Sequence, residues 1–238
     1  MTPDKSDVST FKEEEEEDDF AYDWWLTNLF PVRSFVFLDS QNIPFLKAER
    51  MAERVIFAQE YMDFNNWDKA VFVDDHMIHL GRSKITMYAS INNEKVSDLL
   101  IREERASRFI PKSFVDIVLK PFLMPPHRKD RIFAHSPSLL NTSRFTKEWL
   151  SNNDISCLCL PGCSPDLSIL ENVWCALHKE LGFMSHLRPT TREESVEMIK
   201  EAWKCVQSLY SDRLAELYES IPKRLRMCIR KDGELLYR

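Results

Sequence analysis

Nowhere in the 238 residues does an apolar run approach the length that spans a bilayer, and the N-terminus has neither the basic region nor the apolar stretch of a secretory signal. Both absences point to a soluble intracellular chain. No internal repeat recurs, so repeat architectures are set aside. Cysteine is sparse: six in a chain of this length (157, 159, 163, 175, 205 and 228) do not make a disulfide scaffold. They are expected as reduced, mostly buried thiols. A basic excess is missing as well. The net charge is −6, but residues 1–30 alone hold ten acidic side chains against two lysines, leaving the remainder at about +2. A body so close to neutral lacks the basic surplus of a dedicated DNA-binding domain.

What is there is ordinary globular composition, 44% hydrophobic and 29% charged, in a length that suits one medium-sized domain plus a tail. The tail is residues 1–30 and the domain is residues 31–238. Met1 to Lys12 is polar and without periodicity, the signature of disorder. Glu13 to Asp19 is an unbroken acidic block, followed at once by Phe20, Tyr22, Trp24, Trp25, Leu26, Leu29 and Phe30. Such a segment either packs on its own domain behind a solvated charge run or docks on a partner.

From Arg33 the pattern is mixed. Short strands are expected at Ser34–Leu38, Lys69–Val73, Ile85–Ile91, Lys95–Ile101, Arg131–Ala134 and Ile155–Leu160. The Lys69–Val73 strand is expected to end on Asp74-Asp75. Helices are expected over Phe45–Tyr61, Lys112–Leu123 and Ser143–Asn152, and from the Pro161–Asp166 turn to about Leu181. Thr191 with Glu194 forms a capping box for the next helix. Ser211 is expected to start another, and Pro222 to open a last one that ends before Gly233. Strands with interleaved helices and a helical C-terminus make a mixed α/β domain.

Three stretches in order, Arg50–Leu80, Ser164–Trp174 (SPDLSILENVW) and Ile199–Arg238, resemble the catalytic domains of mariner-superfamily DDE transposases. Together they cover about residues 45–238. The resemblance implies a ribonuclease-H-like mixed sheet flanked by helices, with three carboxylates holding two Mg²⁺ ions for phosphodiester chemistry. It places the first aspartate on Asp74, followed by Asp75, and the glutamate on Glu171. The second aspartate belongs in a strand-end motif that here reads Ala134-His135-Ser136-Pro137, so its place is taken by Ala134, or by Ser136 if the register slips by two. Between Asp130 and Glu148 there is no acid at all. The helix-turn-helix modules that precede the catalytic domain in the family have no counterpart in the acidic residues ahead of the resemblance.

These departures imply a non-enzymatic descendant without a bound metal, the ancestral Mg²⁺ site lost. It is expected to act in the nucleus as a protein-interaction subunit of a chromatin or transcription complex, docking through Phe20, Trp24, Trp25, Leu29 and Phe30. Two alternatives stand beside it: weak, nonspecific nucleic-acid binding through Arg128, Lys129, Arg131, Lys223, Arg224 and Arg226, and an active metal-dependent nuclease. Blander roles compete at each residue. Ser168 and Glu171 read as a capping box, and Asp74-Asp75 as a strand end. His76, His79 and His135 read as surface residues, or else as parts of a changed metal site. Cys157, Cys159 and Cys163 lack a fourth ligand at zinc-finger spacing.

Overall fold

The computed structural model describes residues 46–102, 110–124, 130–138 and 140–236. The Ser34–Leu38 strand, the acidic-aromatic segment, Arg128 and Lys129 lie outside them.

Helix α1 (Ala48–Tyr61) buries Arg54, Phe57 and Ala58. After it, Tyr61, Phe64 and Trp67 pack ring against ring, and Trp67 stacks on Phe72 at 6.2 Å. That aromatic run fixes the entry into β1 (Ala70–Leu80). The strand does not end on Asp74-Asp75 as expected. It continues through both acids because β2 (Ser83–Ile91) pairs with it antiparallel from Phe72↔Ile91 to Leu80↔Ser83. Gly81 closes this hairpin at φ 59°, and a β-carbon there would lie 2.6 Å from the Pro189 carbonyl oxygen. Glycine is therefore required on two counts.

The strand expected over Lys95–Ile101 is reduced to β3 (Leu100–Ile101) and a bridge from Val96 to Ile91. Asn92 explains this: its side-chain oxygen accepts from the backbone N–H of Glu94 and Lys95 and bends the chain. Residues 110–123 are helical throughout (α2), with Ile110–Ser113 and Lys120–Leu123 flanking a π-helical turn, Phe114–Leu119. The widening sits just before Pro121, whose missing N–H leaves one carbonyl of a regular α ladder without its donor. Ser90 Oγ donates to the Val118 carbonyl inside it at 2.8 Å.

β4 (Ile132–His135) runs parallel to β1, and β5 (Ser156–Cys159) parallel to β4. Between them lies α3 (Arg144–Asn152), capped by the Ser143 side chain. The sheet order is β3-β2-β1-β4-β5. One face, with Val71, Val73 and Phe133, is covered by Phe114, Val118, Leu119 and Phe122 of α2 and by Leu150 of α3. The other face, with Phe72 and His76, meets Tyr218 and Trp174 of the C-terminal half.

That half contains α4 (Leu170–Phe183), α5 (Arg192–Tyr210) and α6 (Leu214–Arg230). Thr191 and Glu194 form both halves of the expected capping box. Pro222, by contrast, does not open a new helix; it lies inside α6. Anchors on either side hold it there. Tyr218 Oη donates to the Ala70 and Ile91 carbonyls, and the Arg224 guanidinium to the Asp166 carbonyl and to Asn172 Oδ1. Tertiary contacts thus override a local helix breaker. All six cysteines are free, but Cys157, Cys159, Cys163 and Cys205 are exposed, contrary to the expected burial. The first two share one face of β5, the edge strand of the sheet among the described residues, and that face is exposed. Among the described residues no helix is long and apolar enough to cross a membrane.

Candidate active site

The pairing of β4 with β1 covers Ala70↔Ile132 to Val73↔His135 and then stops, while β1 runs on beside β2. Asp74 is the first residue beyond the shared stretch, at the point where the two parallel strands part. Side chains alternate across a strand, so Asp74 shares a face with Phe72 and His76, and with Ala134 and Ser136 of the adjoining chain. Ala134 pairs with Phe72 and is wholly buried. Ser136 lies one step past β4, and its Oγ donates to Asp74 Oδ1 at 2.5 Å. Of the two registers left open by the sequence, the structure brings Ser136, not Ala134, against Asp74.

The Asp74 carboxylate also accepts from the Asp75 backbone N–H at 2.9 Å. Burial, helped by the Asp75 charge, raises its pKa to about 6 against the opposing pull of those two hydrogen bonds.

Glu171 comes from the first turn of α4. The expected capping box with Ser168 is absent: Ile169 stands at the N-cap in helical conformation, no side chain caps the helix, and Glu171 N–H bonds the Ser168 carbonyl. Glu171 is instead part-buried near Asp74. Burial first, then the Asp74 and Asp166 charges, raise its pKa to about 8, with Arg224 opposing.

The turn that aims this helix is itself clamped. Arg54 makes a bidentate pair with Asp166 at 2.8 and 2.5 Å, both groups almost fully buried. Arg54 also donates to the Gly233 and Glu234 carbonyls, and Leu236 N–H donates to Asp166 Oδ2. Helix α1, the SPD turn and the chain's closing residues therefore converge on one carboxylate. Gly233, at φ 82°, sits so close to the Met51 carbonyl that no side chain fits there.

His76 lies two residues beyond Asp74 on the same face, stacked on Trp174 at 5.0 Å with 14° between the planes. Its Nε2 meets His178 Nε2 at 2.7 Å. Burial and the neighbouring imidazole lower the His76 pKa to about 3, and burial lowers that of His178. His178 was not singled out in the sequence, though seven residues after Glu171 is nearly two whole turns and so the same helix face. His135 and His79 fall on the opposite face of the sheet from Asp74, and His135 is buried against Phe133. The surface reading thus fails for His76 and His135.

Two of the six candidate nucleic-acid contacts need correction. Arg131 is buried, donating to the Asp68 carbonyl, Asn93 and Glu94. Arg224 is buried between the Asp166 carbonyl, Ser220 and Asn172. Neither can reach a phosphate without dismantling the core. Lys223 and Arg226 are exposed. Asp130 and Glu148 stay away from Asp74, ion-paired with Lys69 and Arg144 respectively. Among the described residues no group of three or more His, Cys, Asp or Glu is placed to hold a metal ion.

No family profile matches the chain. Among curated proteins it resembles the Tc3 transposase of Caenorhabditis elegans, 23% identical over 215 residues that cover 80% of this chain and 64% of that protein. It also resembles the Tc1 transposase of the same organism, 20% identical over 153 residues covering 64% and 54%. The chain thus spans less than two thirds of the length of these relatives. Among solved structures, the catalytic domain of Mos1 mariner transposase superposes with a TM-score of 0.64 at 16% identity, covering 81% of this chain and 98% of that one. The Mos1 mariner paired end complex with Mn gives 0.61 at 15%, covering 80% and 64%. The chain is homologous to the Tc1/mariner transposases, and its mixed sheet, flanking helices and helical C-terminus are the ribonuclease-H-like fold of the mariner catalytic domain.

Proposed function

We propose that this chain is a transposase-derived protein whose DNA-cleaving centre no longer turns over, and that it works in the nucleus as a protein-interaction subunit of a chromatin or transcription complex. The observation that carries the first half is the Ser136 hydroxyl hydrogen-bonded to Asp74, where a second carboxylate would be needed. Two divalent ions a few ångströms apart require several anionic oxygens to offset their mutual repulsion. Asp74 and Glu171 supply two carboxylates, and one oxygen of Asp74 is already engaged by a neutral donor. The donor set does not fit a two-ion site. Losing even one ion's contribution of several kcal/mol lowers a rate on the order of 10³-fold.

The second half rests on the acidic-aromatic segment ending at Phe30, with Phe20, Trp24, Trp25, Leu29 and Phe30 as the docking side chains. Direct DNA binding is expected to be weak, because burial removes Arg131 and Arg224 from the basic surface. Calorimetry with Mn²⁺ tests the dead centre. The wild type should bind at most one ion weakly at the carboxylates, and Ser136→Asp should bind at least tenfold more tightly. Tight two-ion binding by the wild type, lost in Asp74→Asn, would overturn the reading.

A further inference from the structure

We propose that His76 and His178 form a binding site of their own for one imidazole-preferring divalent ion of the Cu²⁺, Ni²⁺ or Zn²⁺ class, distinct from the carboxylates. The geometry is specific. Each histidine stands on a regular element, β1 and α4, and the two Nε2 atoms converge to 2.7 Å with the ring planes at 79°. Stacking on Trp174 holds the His76 ring in place. Two imidazole nitrogens sharing one ion at about 2.0–2.1 Å each stand roughly 3 Å apart when cis. The observed separation is a few tenths of an ångström shorter, the length of a shared N–H···N hydrogen bond, so the ion would replace that proton while both rings turn to aim their lone pairs at it.

The chemistry selects the ion. Imidazole favours copper, nickel and zinc over magnesium, calcium and manganese, which seek oxygen. Asp74, two residues along the strand, biases the local field towards a cation. Both histidines are partly exposed, so water or an added ligand can complete the shell. With only two protein ligands the affinity should be modest, and the open positions leave the ion accessible. The site does not depend on whether cleavage has been lost, because neither histidine is a catalytic carboxylate.

The exposed cysteines 157, 159, 163 and 205 are competing thiophilic sites, so the test uses the full chain with these four replaced by serine. Ni²⁺ calorimetry should show one equivalent bound. Electron paramagnetic resonance of the Cu²⁺ form should show two equatorial imidazole nitrogens. His178→Asn should weaken Ni²⁺ binding at least tenfold and reduce the copper signature to one imidazole, whereas His186→Ala, an exposed control, should change neither. If His178→Asn does not fold, His76→Gln serves in its place with the same expected loss. Absence of submillimolar Ni²⁺ binding, or binding that these substitutions leave unchanged, would overturn the proposal.

Discussion

At the scale of single residues, Glu171 carries the sharpest consequence. Its pKa is raised from an ordinary value near 4.5 to about 8. A carboxyl raised in this way favours the folded state fully below pH 4.5, and that contribution is lost as pH rises through about 8. His76, lowered to about 3, acts oppositely: its contribution is present above pH 6.5 and lost as pH falls towards 3. The pH optimum of the whole protein therefore does not isolate either group, but a variant does. Glu171→Gln should be nearly neutral in a thermal melt at pH 5 and stabilising relative to wild type at pH 8.5; an equal difference at both pH values would refute the assignment. Arg54→Ala should destabilise by roughly 3–5 kcal/mol in a denaturant melt, because Asp166 would be left charged and buried. A loss under about 1 kcal/mol would show that the clamp is dispensable. Asp74 and Glu171 were legible in the sequence, one as the acid ending an apolar run and the other from the spacing of the SPD and EN-W residues. Ser136 could not be chosen over Ala134, because the choice depends on the register of two strands about sixty residues apart. Arg224 was illegible for a similar reason. Its partners are backbone and amide oxygens 52–58 residues away, so its helix position resembled a solvated one.

At the scale of elements, most helices and strands form where apolar periodicity places them, and the misplacements have local or tertiary causes. β1 outruns its apolar half because the hairpin with β2 pairs the backbone regardless of the acids at 74 and 75. Asn92 cuts the next strand short with side-chain hydrogen bonds. Pro222 fails to break α6 because the core grips both sides of it. The acidic-aromatic segment is a stretch of another kind, marked by its composition. Each of its five large apolar side chains is worth roughly 1.5–3 kcal/mol if fully buried, so leaving all five in water is disfavoured. The seven preceding acids would add little to packing on the chain's own domain, yet they would steer the segment to a basic partner. The Trp24→Ala/Trp25→Ala double variant should therefore lose co-purifying partners from nuclear extract while keeping its melting temperature. A large fall in melting temperature with the partner retained would place the segment in the core.

At the scale of the whole molecule, the fold was readable because three stretches in a fixed order span its β1 strand, its SPD turn and its closing helices. The Arg54–Asp166 clamp shows what links them physically, since it ties the first stretch, the second and the last residues at one buried carboxylate. A scaffold so fastened would keep its shape if its chemistry were lost, because the clamp and the packed helices do not use the oxygen atoms that would hold ions. That separation of fold from turnover is the central claim, and cleavage of supercoiled plasmid DNA by the purified full chain tests it most directly, with Mg²⁺ and with Mn²⁺. The wild type should cleave no faster than Asp74→Asn under either ion. Metal-dependent nicking by the wild type that Asp74→Asn abolishes would contradict the claim.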